Sequence, residues 1–290
     1  MAMRNSKDQA PGRYGFFTED MTHRAREQQH LESGIRQALE HREFVLHYQP
    51  KIHLASGRVV GAEALIRWFS PQRGWVSPAQ FIAVAEDSSL INSISQWVLG
   101  EATRQSRAWQ QAGLAPMRLS VNLSASDFRQ PQLLMQLHSA LHDSGLDPTL
   151  LELEITEGVL MQNVEATLAT LLAIKALGVR LAVDDFGTGY SSLSYLRKFP
   201  VDVLKIDQSF IQGLSHDPKD AALVSAIIQL GRSLNLNVIA EGVETAQQLA
   251  FLTRQGCEEG QGYYFSKALP PADFARLLQN RAAPGAQVQP

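Results

Sequence analysis

Between about residue 43 and residue 280, short runs rich in β-branched and aliphatic residues alternate with longer amphipathic segments, the pattern of repeated strand-helix units around a parallel sheet. The runs at 44–49, 58–66, 117–123, 150–156, 180–185, 202–207, 237–242 and 261–265 predict eight strands, enough to close into a barrel. Helices are predicted at about 78–86, 91–112, 131–144, 164–177, 191–198, 219–234, 245–255 and 271–280, with Pro78 and Pro131 in first turns that tolerate proline. Upstream, 19–42 is highly charged, yet Met21, Leu31, Ile35 and Leu39 recur largely at helical spacing and predict a connector helix. Residues 1–18 and 281–290 read as tails outside the barrel at 43–280.

Parity along the strands carries the chemistry. In a closed parallel sheet alternate residues face the outer helices or the lumen, so polar side chains confined to one parity point inward. Leu119, Val121 and Leu123 oppose Ser120 and Asn122, while Leu151, Leu153 and Ile155 oppose Glu152, Glu154 and Thr156. Leu181 and Val183 oppose Ala182 and Asp184, Leu204 and Ile206 oppose Lys205 and Asp207, and Val238 and Ala240 oppose Glu241. On the second strand Ala62, Ala64 and Ile66 oppose Glu63, Leu65 and Arg67.

Glu63, Glu154, Asp184, Asp185 and Glu241 gathered at one mouth would repel one another strongly unless cations neutralise them. With Asn122 they form an all-oxygen donor set without histidine, which favours Mg²⁺ or Mn²⁺ over Zn²⁺. The adjacent Asp184 and Asp185 suit a pair of ions, a device for in-line phosphoryl transfer, and Lys205 beside them could orient or deprotonate a water. His138 and His142, one helical turn apart, read as an exposed face. Trp68, Trp75, Trp97 and Trp109 read as packing residues.

Charge and cysteine content narrow the setting. A net charge of -3 without a basic cluster excludes the footprint of polymeric nucleic acid. Cys257 is the only cysteine, which rules out an internal disulfide and fits a reducing cytoplasm. No apolar run approaches the roughly 20 residues of a membrane span, so no direct membrane insertion is expected.

The inward residues also carry a family resemblance. Gly61-Ala62-Glu63-Ala64-Leu65-Ile66-Arg67-Trp68 resembles the signature of the EAL domain family of bacterial cyclic di-GMP phosphodiesterases. The likeness extends through Tyr48-Gln49-Pro50, Ser120-Val121-Asn122-Leu123-Ser124, Leu153-Glu154-Ile155-Thr156-Glu157, the run from Asp184 to Leu193, Leu204-Lys205-Ile206-Asp207, Ala240-Glu241-Gly242-Val243-Glu244 and Gln261-Gly262-Tyr263-Tyr264-Phe265. It implies an α/β fold, a modified TIM (β/α)8 barrel with an antiparallel first strand. It also implies hydrolysis of cyclic di-GMP to linear pGpG with two Mg²⁺ or Mn²⁺ ions.

Residue by residue, the resemblance makes Glu63, Asn122, Glu154 and Asp184 ligands of one ion, while Asp184, Asp185 and Glu241 serve the second directly or through water. Lys205, Glu241 and Glu63 are the implied catalytic groups, with Lys205 on the nucleophilic water. Gln49, Leu65 and Arg67 are implied substrate contacts, Gln261 lies at the metal and water site, and Glu157 and Glu244 steady the neighbouring loops. The departures are Ser88-Ser89 where Thr-Gly is usual, Gly158 for Ser and Ala268 for Pro; none replaces a ligand. The rival reading is a cyclic di-GMP receptor that binds without cutting, but such members lack part of this set. The segment from Ala2 to Thr18 resembles the last helix and exit of a diguanylate cyclase (GGDEF) domain. That implies a longer regulatory parent protein, of which a membrane-tethered form is one version. A homodimer is also expected.

Overall fold

The alternation read along the chain closes into a barrel. The structure, a computed structural model, describes residues 19–189, 196–214 and 216–281. The tail at 1–18 with its GGDEF-like likeness, the tail beyond Arg281, and most of the helix predicted at 191–198 lie outside them. In chain order the elements are α1 (Glu19–His41), β1 (Phe44–His53), β2 (Arg58–Ser70), β3 (Gly74–Val76), α2 (Pro78–Asp87), α3 (Ile91–Gln111) and β4 (Arg118–Leu123). There follow α4 (Ala125–Phe128), α5 (Leu133–Ser144), β5 (Leu151–Thr156), α6 (Glu157–Leu160), α7 (Val164–Ala176), β6 (Arg180–Phe186) and β7 (Val203–Ile206). The last are α8 (Gln208–Gly213), α9 (Pro218–Ser233), β8 (Asn237–Ala240), α10 (Ala246–Gln255), β9 (Glu259–Gly260) and α11 (Pro271–Arg281).

The sheet runs β1-β9-β8-β7-β6-β5-β4-β2-β3 and closes by pairing β1 with β2, so eight strands form the barrel and β3 is an addition. β1 is antiparallel to both its neighbours, whereas the pairs from β2–β4 round to β8–β9 are parallel. β2 touches β4 only from Gly61 to Ala64 and then continues past the rim, paired with β1 as far as Trp68 and with β3. A three-stranded ribbon therefore stands above one side of the mouth.

Most of the core lies between strands and helices, where Leu119, Val121, Leu153, Leu181 and Leu204 are fully buried at the outward parity. Among the described residues the lumen holds a small apolar cluster, Ala182, Val203 and Ile239. Around it sit ion pairs: Lys51 with Glu152, Arg180 with Glu152, and Arg118 with Glu259. Burial alone would weaken the charge on Lys51, but the facing Glu152 and Glu154 hold its pKa above the ordinary lysine value. Burial opposes ionisation of Glu152 too, yet the Lys51 ammonium and the Ser120 hydroxyl bring it down to about 2.

Several predicted elements are corrected. β1 continues through Pro50 to His53, which a strand ending at 49 cut short. Pro50 is tolerated because its nitrogen lies in the gap between the Tyr48 N–H bond to the Leu269 carbonyl (2.8 Å) and the pairing with β9 that resumes at Ile52. The strand expected at 261–265 is displaced to Glu259–Gly260. At Gly262 the backbone comes so close to Val243 that a Cβ would lie 2.2 Å from its carbonyl oxygen, and the chain turns there despite its aromatic residues. α5 begins at Leu133, so Pro131 precedes it instead of occupying its first turn. β3 was not foreseen, and Trp75 on it is 60% exposed, not packed like Trp68 and Trp109. Ser89, where the family resemblance expects glycine, has a left-handed backbone (φ 60°).

The connector helix is part of the core. Leu31, Ile35 and Ala38 of α1 are buried, and Gly34 lets the Trp68 ring approach so closely that a Cβ would stand 2.9 Å from it. Glu43 then accepts a hydrogen bond from the Trp68 indole N–H at 2.9 Å, tying the helix exit to β2. Truncation of Ile35, which has no exposed surface, is expected to behave as a core deletion. Ile35→Ala should cost roughly 2–5 kcal/mol in urea unfolding. A shift of the midpoint worth under about 1 kcal/mol would mean that α1 is an appendage.

Candidate metal and substrate site

The inward parity places the chemistry at the C-terminal ends of the parallel strands, the face where barrels of this kind carry their sites. Asn122 comes from β4, Glu154 from β5, Asp184 and Asp185 from β6, Lys205 from β7, and Glu241 and Gln261 follow β8 and β9 directly. Glu63 stands midway along β2 because that strand outruns the barrel, and Gln49 lies opposite it on β1.

Asp184 and Asp185 are neighbours in a strand and would ordinarily face opposite ways. The β6–β7 register breaks between Val183 and Phe186, and Asp185 adopts a left-handed backbone with φ 53°. This bulge turns both carboxylates to the mouth. Among the described residues Asp184, Asp185 and Glu241 each offer an oxygen within 4.8 Å of the others.

Lys205 sits at the centre of the acids. Its ammonium donates to Glu154 and forms ion pairs with Asp184 at 2.9 Å and Glu241 at 2.7 Å, with Glu63 at 3.9 Å. Burial works against this charge, but Asp184, Glu154 and Glu241 hold its pKa well above the ordinary lysine value. Glu63 accepts from Asn122 Nδ2 at 2.7 Å and from Gln261 Nε2 at 2.6 Å, and Gln261 Nε2 also donates to Gln49 Oε1 at 3.0 Å.

Lys205, even with Lys51 on Glu154 at 2.7 Å, does not balance the five carboxylates Glu63, Glu154, Asp184, Asp185 and Glu241. Burial, and then the charges of Asp184, Glu63 and Glu154 outweighing the help of Lys205, push Glu241 up to about 8. Burial with the charges of Asp184 and Asp207 pushes Asp185 up to about 6. Both acids thus give up their protons less readily than ordinary carboxylates, and a divalent cation would relieve them. The buried Gln261 Oε1 has no partner and lines the cavity, a further acceptor awaiting one. The oxygen-only donor set, its excess negative charge and this orphaned acceptor fit hard divalent ions.

Gln49, Glu63, Leu65, Asn122, Asp184, Lys205, Glu241, Glu244 and Gln261 line one open cavity of about 340 Å³. Glu154 is buried just below it. Arg67 instead lines a second cavity of about 340 Å³, apolar in character, walled by Ile82, Ile91, Ile94 and Val98. Leu65 and Asn122 border both. Glu157 is buried and accepts from Gly187 N–H at 3.1 Å, against the turn after β6. Glu244 is exposed at the cavity lip, with its backbone N–H on Gln248 Oε1 at 2.8 Å. His138 and His142 stack on an exposed helix face, 6.2 Å between ring centroids.

Lys51, Gln208 and Tyr263 were not among the expected site residues. Lys51 shares the parity of Gln49 on β1 and was lost with the early end of that strand. Gln208 opens the short helix α8 and Tyr263 lies in a turn, where no periodicity points to a face. Asp207, read as inward, caps α8 by accepting from Ser209 N–H at 2.9 Å.

Comparison with known proteins bears on this arrangement. The family model described as EAL domain matches residues 32–268. The bifunctional diguanylate cyclase/cyclic di-GMP phosphodiesterase MucR of Pseudomonas aeruginosa is 48% identical over 93% of this chain and 39% of its own length. The cyclic di-GMP phosphodiesterase PdeR of Escherichia coli is 40% identical over 95% of this chain and 41% of its own. The chain thus spans about two-fifths of the length of these relatives. Among solved structures, the P. aeruginosa MucR phosphodiesterase in complex with c-di-GMP superposes with a TM-score of 0.82 at 48% identity, covering 84% of this chain and 99% of that one. The FimX EAL domain of P. aeruginosa bound to c-di-GMP gives 0.75 at 27% identity, over 82% and 95%.

The raised carboxyl groups set a sign for pH dependence. Folded, metal-free protein holds protons that the unfolded chain would release near the ordinary carboxylate values. The stability this contributes is present at low pH and is lost as pH rises through about 6 for Asp185 and about 8 for Glu241. In EDTA, Tm is expected to fall as pH rises from about 6 to about 9, and Glu241→Gln should flatten the upper part of that fall. Mn²⁺ should raise Tm more at the alkaline end, where it displaces fewer protons. A Tm in EDTA independent of pH over this range would contradict the shortage of positive charge.

Proposed function

The chain belongs to the EAL domain family, and from that membership we propose that it hydrolyses cyclic di-GMP to linear pGpG at the mouth of its barrel. The observation that carries this reading is the convergence of Glu63, Asn122, Glu154, Asp184, Asp185, Lys205 and Glu241 on one rim, beside Leu65, which borders both cavities. The names of MucR and PdeR, and the c-di-GMP bound to the MucR phosphodiesterase, support the substrate.

Glu63, Asn122, Glu154 and Asp184 would hold one Mg²⁺ or Mn²⁺, and Asp184, Asp185 and Glu241 a second. Bound there, the ions would supply Lewis acidity to a water and to the phosphate oxygens. Lys205 directs an N–H at the attacking water and keeps it in line with the phosphorus, and Gln261 Oε1 accepts a hydrogen bond from it. The water oxygen joins phosphorus as its proton passes to a rim carboxylate, the bond from phosphorus to the 3′-oxygen breaks, and that oxygen takes up a proton and leaves as a hydroxyl. The phosphate stays on the 5′ side. Arg67 meets a phosphate or ribose, and Leu65 divides polar from apolar space so that a guanine can lie along the apolar cavity.

Glu157 and Glu244 would steady the loops after β6 and β8. The lone, buried Cys257 suits a reducing cytoplasm. Among the described residues no helix is long and apolar enough to cross a membrane. Regulation by further domains of a longer parent, and a homodimer, belong to the same proposal.

Incubation of cyclic di-GMP with the protein and Mg²⁺, with nucleotides resolved by chromatography, is expected to give pGpG, and none in EDTA. Glu63→Ala should abolish both metal binding and turnover. Lys205→Ala should lower kcat by roughly 10²–10⁴ with little change in KM. Near-parental kcat in Lys205→Ala would remove the role of that lysine. Tight binding without turnover at any metal concentration would make the domain a receptor.

A further inference from the structure

Beneath the mouth lies a second buried lysine that the chemistry above leaves unused. Lys51 is 2% exposed, and its ammonium meets three acceptors: Ser120 Oγ, Glu152 Oε1 at 2.8 Å and Glu154 Oε1 at 2.7 Å. An ammonium has three donors, so its capacity is filled. Glu154 is gripped from both sides, with Oε1 on Lys51 of β1 and Oε2 on Lys205 of β7. Its carboxylate cannot rotate without breaking a buried ion pair.

Neutralising Glu152 does not by itself require Lys51 to touch Glu154. Glu152 also accepts from Ser120 at 2.9 Å and faces Arg180 at 3.4 Å. A barrel lumen is ordinarily filled by branched apolar side chains, and a buried ion pair is rarely more stable than such packing. The contact that stability leaves unexplained is the one to Glu154, the carboxylate that continues upward to Lys205 and the rim.

We propose that Lys51 is a positioning residue for the reaction: by occupying Oε1 of Glu154 from below, it leaves that carboxylate a single, fixed oxygen to offer upward. The inference rests on the proposed function, in which Glu154 is a metal ligand. Groups that orient a ligand from behind typically contribute tenfold to a hundredfold in metal affinity.

The test uses Lys51→Met, which keeps the lumen filled, together with Lys51→Met/Glu152→Gln, which removes the charge left without a partner. Mn²⁺ affinity is measured by calorimetry alongside kcat and KM. Both variants are expected to bind Mn²⁺ about 10–100-fold more weakly and to lose kcat with KM nearly unchanged. Glu152→Gln alone, which keeps Lys51 on Glu154, should stay within about threefold of parental affinity. In a Glu154→Gln background, Lys51→Met should add no further loss.

If Lys51 served only to balance charge, removing it would tighten Mn²⁺ binding; if it were only structural, Tm would fall with Mn²⁺ affinity unchanged. Either result overturns the inference. Parental protein that neither binds Mn²⁺ nor cuts cyclic di-GMP would instead overturn the proposed function, and the two failures are read from different proteins.

Discussion

The barrel is built around a concentration of negative charge that it cannot neutralise with its own side chains. Two lysines, Lys51 and Lys205, stand on the axis among Glu63, Glu152, Glu154, Asp184 and Glu241, and both are almost wholly buried. Taking charges out of water costs several kcal/mol each unless each finds a close partner. That requirement sets the geometry: every donor of Lys51 is used, and Lys205 is surrounded. What remains unbalanced is confined to the rim, where Glu241 and Asp185 are pushed toward the protonated state.

Three local features of the backbone serve this arrangement. The antiparallel first strand brings Gln49 beside Glu63 at the mouth and sends Lys51 two residues deeper, a descent that a strand parallel to the rest would make in the opposite sense. The bulge at Asp184 and Asp185 gives the rim two adjacent carboxylates from one strand. The overlong β2 lifts Leu65 and Arg67 above the level of the acidic rim, onto a ribbon that borders apolar space. Charge is therefore held low and apolar surface high, the polarity that a ligand with phosphates at its centre and bases at its ends would meet.

The outward packing and most of the rim were legible because strand parity survives in sequence as alternation. Leu119, Leu153 and Leu204 are buried against helices, and Glu63, Glu154 and Lys205 face in, as their parity requires. Parity fails where the backbone leaves the regular strand. Asp185 has the wrong parity for the mouth and reaches it only through the bulge. Lys51 was hidden behind Pro50, which reads as a strand end although the ladder continues. Trp75 belongs to a three-residue strand too short for any period, and the aromatic run after Gly260 has β-like composition on a turn imposed by contact with Val243.

The same limit explains why alternation exposes acids more readily than the groups that hold them. A carboxylate inward on a strand is conspicuous by its type, since apolar residues are the norm at that position. Ser120 and Lys51 become meaningful only through partners on other strands, Ser120 on Glu152 and Lys51 on both Glu152 and Glu154. Register between β1 and β5, which are not neighbours in the sheet, is fixed by closure of the barrel and by no local signal. The supporting layer under the rim is thus a property of closure, and the donor set above it a property of each strand.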